Sequence, residues 1–143
     1  MRSLSFDPRH ALAAFLFVGS LVLLNMQSKN LPGSDHDVDV AQAIALIDAG
    51  ALVIDVRNRA TSASAHLPGA LLIPLETLEA NLARIETAGE SGKASSIVVY
   101  CGEGTQLGPR AVRRLTGAGF TQVVNLKAGI QGWRRAGLPT VKS

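Results

Sequence analysis

Short runs of aliphatic and β-branched residues alternate along the chain with amphipathic stretches. Val40, Ile44 and Ile47 form an apolar stripe at helical spacing. Asp39 and Gln42 stand ahead of it at capping-box spacing, and Gly50 follows, so a helix is predicted from about Val40 to Ala49. Ala51-Leu52-Val53-Ile54-Asp55-Val56 then reads as a strand covered on both faces, ending at Arg57. A loop is expected over Asn58–Ala65, a turn over His66-Leu67-Pro68-Gly69-Ala70, and a short strand over Leu71-Leu72-Ile73. Leu75, Leu78, Leu82 and Ile85 mark a further helix, with Glu76 and Glu79 near its positive end. Ala88–Ser95 reads as a flexible connection.

The most continuous run is Ile97-Val98-Val99-Tyr100, again a buried strand. A glycine-rich loop follows with Gly102, Gly104 and Gly108, and Pro109 suits the first position of the next helix. Ala111, Val112, Leu115 and Ala118 mark the buried face of that helix, and Gly119 ends it. Phe120 and Val123-Val124-Asn125-Leu126 make another strand, Ala128-Gly129 a turn, and Ile130 with Trp133 a short helix. Strand and helix alternate throughout, so the expected fold is α/β: a mainly parallel sheet flanked by helices on both faces.

The 143 residues divide at about residue 37. Residues 1–36 comprise a tail, an apolar segment and a polar linker; residues 37–143 suffice for one domain with its own core. Arg2 and Arg9 precede an apolar run from Ala11 to Met26, the pattern of a signal peptide or signal anchor. No small-x-small cleavage site follows, so an uncleaved membrane anchor is expected. The leading arginines would keep the N-terminus cytoplasmic and put the domain on the extracytoplasmic, periplasmic side. Secretion after cleavage is the alternative.

The net charge of +3 is unevenly placed. From Cys101 onward there are seven basic residues and one acid, Glu103, which favours small anionic substrates in that half. Few aromatics and no recognisable motif argue against nucleic acid. A single cysteine, Cys101, excludes an internal disulfide, a Cys-x-x-Cys pair and a cysteine-rich zinc site. No metal or other cofactor is expected.

Cys101 stands where the Ile97–Tyr100 strand ends and the glycine loop begins. Such a loop, backed by a helix N-terminus, presents backbone N–H groups as an anion cradle that favours a thiolate over a thiol. The competing reading is a small buried hydrophobe, but strand-end loops in parallel sheets are where ligands bind. Phosphatase-type chemistry would need Cys-x5-Arg, and the arginine position holds Leu107.

Taken together, Leu52-Val53-Ile54-Asp55-Val56-Arg57, then His66-Leu67-Pro68-Gly69-Ala70 with Ile73-Pro74, then Val98-Val99-Tyr100-Cys101, then Ala118-Gly119-Phe120 with Ala128-Gly129-Ile130 and Trp133 resemble the rhodanese family of sulfurtransferases. The resemblance implies that Cys101 is a nucleophile that carries sulfur as a persulfide, taking it from a small anionic donor such as thiosulfate and giving it to a thiol or cyanide. It implies that the backbone of Gly102, Glu103, Gly104, Thr105 and Gln106 forms the donor-binding cradle. By position, Arg110 on the next helix could reach back to the loop, and Arg57 beside Asp55 at a strand end is a further candidate contact, with a structural ion pair as its favoured reading. Gln106 stands where the family often has an arginine, Glu103 adds a negative charge, and Ala128 replaces the first glycine of the closing pair. These departures leave a second expectation open: a weakly catalytic binding or sulfur-carrier module at a membrane, with a protein partner that the sequence does not name.

Overall fold

The computed structural model describes residues 36–143. The apolar run 11–26, and with it the expected anchor and its orientation, lies outside these residues. Among the described residues no helix is long and apolar enough to cross a membrane.

The elements in chain order are β1 (Asp37–Val38), α1 (Val40–Asp48), β2 (Leu52–Asp55), α2 (Arg59–Ser64), β3 (Leu71–Leu72), α3 (Leu82–Ala88), β4 (Ser96–Tyr100), α4 (Leu107–Gly117), β5 (Gln122–Leu126) and α5 (Gly129–Arg135). The five strands form one sheet in the order β1-β5-β4-β2-β3, parallel at every pairing. Alternation along β4 divides the core. Ile97 and Val99 face α3 and α4, together with Ile54, Ile85, Ala111, Val112 and Leu115. Val98 and Tyr100 face α1 and α5, together with Val53, Ala43, Ile130 and Trp133. The sheet is therefore covered on both faces, as the unbroken apolar strands require.

The strand order places the site. After β2 the chain moves outward to β3; after β4 it moves the opposite way, to β5. The connections part between β2 and β4, and the carboxyl ends of these two strands frame the crevice where such sheets bind ligands. Cys101 follows β4 directly, and Val56 and Arg57 follow β2.

Several local expectations are corrected. The span Asn58–Ala65 contains a helical turn and a half, because the Asn58 side chain accepts from Thr61 N at 2.8 Å and caps α2. The helix expected from Leu75 is interrupted by two 3-10 turns, Leu75–Thr77 and Glu79–Asn81, before α3 begins. Asn81 Nδ2 takes the Thr77 carbonyl at 2.7 Å, the acceptor that an α-helix would give to the Asn81 backbone N–H. α4 begins at Leu107, so Pro109 is its third residue and not its first. Proline is tolerated there because the early N–H groups of a helix have no intrahelical acceptor. The expected Leu71–Ile73 strand stops at Leu72, and the strand expected from Phe120 starts at Gln122.

Candidate active site

Cys101 lies at the carboxyl end of the central strand with 4% of its surface exposed. Its thiol is free, and Sγ accepts from Gly104 N at 3.2 Å. Of the amides expected to build the cradle, this is the one in hydrogen-bonding contact with sulfur. Gly102 instead offers its carbonyl to Gln131 N at 3.1 Å, and the Cys101 carbonyl accepts from Ile130 N at 3.0 Å. The first turn of α5 thus clamps the start of the loop. Gly129 must be glycine: its φ is +60°, and a Cβ would lie 2.8 Å from the Cys101 carbonyl oxygen. Ala128, by contrast, has φ −80° and ψ −8°, ordinary right-handed geometry, and Gly132 leaves room for its methyl group. The missing first glycine of the closing pair is therefore absorbed without strain.

Glu103, Thr105 and Gln106 are exposed on the rim of the loop. Gln106 is the N-cap residue of α4 but makes no side-chain cap bond, so the positive end of that helix opens onto the loop uncapped. Arg110 is exposed on α4. A buried sulfur that accepts an N–H, next to an uncapped helix start, is suited to holding a negative charge on sulfur.

Arg57 forms the structural ion pair with Asp55 that its place at a strand end favoured over donor contact. Its Nε and Nη2 donate to the two oxygens of Asp55 at 3.0 and 2.7 Å, its backbone N–H donates to Asp55 Oδ1 at 3.0 Å, and Nη2 also reaches the Ala65 carbonyl at 2.7 Å. The guanidinium lies 5.5 Å from the centre of the Tyr100 ring. Burial works against its charge, but the hydrogen bond and charge of Asp55 more than offset this and raise its pKa. Tyr100 completes the cluster: its hydroxyl donates to Asp55 Oδ2 at 2.9 Å and accepts from Leu67 N at 3.0 Å. The cluster ties the α2–β3 segment to the sheet beneath the loop.

Burial first, and the Asp55 charge second, push the Tyr100 phenol well above its ordinary value. Tyr100→Phe is expected to cost about 1–3 kcal/mol, since Leu67 N is left buried without an acceptor. The pH dependence has a definite sign. In the unfolded chain this phenol loses its proton near pH ~10, whereas the folded chain keeps it, so its contribution is complete below pH ~10 and falls above it. Urea midpoints at about pH 8 and about pH 11 check this, because the variant loses that part of the alkaline decline.

His66 is tied to α2 and to the C-terminal segment rather than to the turn around Pro68. Its Nδ1 lies 2.9 Å from the Ser62 carbonyl, and its backbone pairs with Val141. Arg114 donates to the Leu75 carbonyl at 3.0 Å and lies 3.5 Å from Glu79. The Trp133 indole adds to its core packing a bond to the Pro139 carbonyl at 2.8 Å, which ties down the C-terminal segment. Asn125, read in the sequence only as part of a strand, is fully buried and donates from Nδ2 to the Gly104 carbonyl at 2.9 Å. Its polarity within an apolar strand was the available signal. Among the described residues no group of three or more His, Cys, Asp or Glu side chains could hold a metal ion. A crevice of about 400 Å³ lies at the opposite, amino ends of β2 and β4, lined by Gly50, Leu52, Gly69, Ser95 and Ser96, and does not include Cys101.

Comparison with known proteins agrees with this fold. The model of the rhodanese-like domain matches residues 39–136. An uncharacterised protein of Escherichia coli K12, YibN, is 30% identical over 97% of this chain and 96% of its own length. A sulfurtransferase of Allochromatium vinosum is 32% identical over 63% of this chain and 78% of its own. Among solved structures, the human single-domain sulfurtransferase TSTD1 superposes with a TM-score of 0.62 at 27% identity, covering 69% of this chain and 95% of that one. With the match covering β2 to β5 and the cysteine loop that follows β4, the chain belongs to the rhodanese-like family, of the sulfurtransferase kind.

Proposed function

We propose that the chain transfers sulfane sulfur through a persulfide on Cys101. The Cys101 thiolate attacks the outer sulfur of an anionic donor of the thiosulfate class. The donor's S–S bond breaks, its electron pair leaves with sulfite, and a Cys101 persulfide remains. A thiol or cyanide then attacks the outer persulfide sulfur, and the thiolate is restored. This splits one transfer into two displacements at a single nucleophile. The observation that carries the reading is the Gly104 N–H on Cys101 Sγ, in a glycine loop at the end of the central strand.

A sulfur-carrier role is supported by a different observation. Arg57 is bonded to Asp55 and Ala65, Arg114 to Leu75, and the loop itself bears Glu103 and Gln106. These arginines do not compensate for the missing loop arginine, so a dianionic donor binds more weakly and repeated turnover from it is slow. Intact mass spectrometry after exposure to thiosulfate or polysulfide tests both readings. The wild type is expected to gain one sulfur and Cys101→Ser none. Loading without repeated cyanide turnover identifies the carrier; no adduct from either donor removes sulfur transfer altogether.

A further inference from the structure

Asn125 has no exposed surface, yet it sits in a strand whose neighbours are apolar. Its Nδ2 donates to two acceptors on different elements, the Gly104 carbonyl at 2.9 Å and Asp37 Oδ1 at 3.0 Å. Two acceptors fix the orientation of the amide, because a flip would turn Oδ1 toward a carbonyl and a carboxylate. The carboxamide also occupies the space that a side chain at Gly108 would need: a Cβ there would lie 2.8 Å from Asn125 Cγ. Asn125 Oδ1, on that side, has no hydrogen-bond partner. An apolar residue would remove the unpartnered Oδ1 but would also leave the Gly104 carbonyl without its donor. The amide therefore has a purpose other than packing.

That purpose is visible at Gly104. Its N–H donates to Cys101 Sγ, its C=O accepts from Asn125, and its φ of +77° is open to glycine alone. The two peptide planes of Gly104 meet at its Cα, so a bond that holds its carbonyl also fixes the point from which its N–H projects. We propose that Asn125 is a positioning residue for the nucleophile: by holding the Gly104 carbonyl, it aims the Gly104 N–H at the reacting sulfur. The chemistry itself rests on Cys101 as the sulfur carrier.

The test uses the full chain with Asn125→Ser, Asn125→Asp and Gly108→Ala. The last of these displaces the carboxamide by filling its space, and it keeps the proposal testable if the Asn125 variants do not fold. Ile85→Ala, a truncation in the core between α3 and the sheet, is the control for lost stability. Hydrogen exchange at the Gly104 amide is followed by NMR, and single-turnover loading of Cys101 from polysulfide by mass spectrometry, where each protein is folded. In the Asn125 and Gly108 variants, Gly104 exchange is expected to quicken and loading to slow, each about tenfold for the loss of one hydrogen bond. Ile85→Ala is expected to lower Tm and leave both readings near wild type. Unchanged Gly104 exchange in the folded variants, or equal changes in Ile85→Ala, overturns the proposal. If no form of the chain loads sulfur but Gly104 exchange responds as described, the positioning role stands and the sulfur-transfer reading fails.

Discussion

Asp55→Ala lowers the stability of the domain by about 3–5 kcal/mol, the range for removing one partner of a buried ion pair. Asp55 has no exposed surface and accepts from the Arg57 backbone, Arg57 Nε and Nη2, and the Tyr100 hydroxyl. Arg57 is a residue only 7% exposed, and without the carboxylate its guanidinium keeps one carbonyl partner, that of Ala65. The loss comes mostly from this stranded charge and less from the attraction removed. Adding Arg57→Met is therefore expected to recover part of it, because an apolar pair of similar volume leaves no charge unmatched. Urea denaturation of the two single variants and the double variant forms the cycle that measures this. A loss under about 1 kcal/mol for Asp55→Ala, the value of an exposed pair, would refute the structural role of the cluster.

Gly129→Ala acts on the site more than on the fold. The residue has φ +60°, and the new methyl group would meet the carbonyls of Gly102 and Cys101. Those carbonyls receive the Gln131 and Ile130 N–H groups, so the loop start and α5 must separate for the methyl to fit. The left-handed conformation adds a cost of about 1–3 kcal/mol in stability. The larger effect is displacement of Cys101 from the Gly104 N–H. A shift of about 1 Å at a reacting group lowers the rate about 100-fold. Stopped-flow or mass-spectrometric loading with a sulfane donor reads this directly. Ala128→Gly is the matched control, since Ala128 already has right-handed geometry and its change leaves the carbonyl contacts in place. Comparable loading by wild type and Gly129→Ala would show that the α5 clamp does not set the position of the sulfur.

The clearest elements in the sequence were those whose cause is local. α1 needs only its stripe and the Asp39–Gln42 capping box, which the structure forms with bonds of 2.7 and 2.9 Å. Leu52–Ile54 in β2 and Ile97–Tyr100 in β4 are short continuous runs rich in β-branched residues, as strands covered on both faces are. The glycine loop after β4 announces itself by composition, and Cys101 by standing at its start. The two-residue β1 carries no such signal: it is a strand because it pairs with β5, and its flanking His36 carbonyl accepts from Asn125 N at 2.7 Å. α2 has no apolar stripe, and only Asn58 hints at it.

By itself the sequence determined the alternation of strand and helix, the parallel sheet with both faces covered, and the cysteine at the mouth of a glycine loop. These follow from periodicity, propensity and capping, which act over a few residues. Tertiary structure decided which groups meet. Tyr100 and Asp55 are 45 positions apart, Asn125 and Gly104 are 21 apart, and Asn125 and Asp37 are 88 apart. No local pattern encodes such pairs, because each forms only when strand order and register bring distant backbone into contact. The same packing decided between the two sequence readings of Arg57 in favour of the buried ion pair with Asp55. It also turned Asn125 from a strand residue into the support of the loop that holds Cys101.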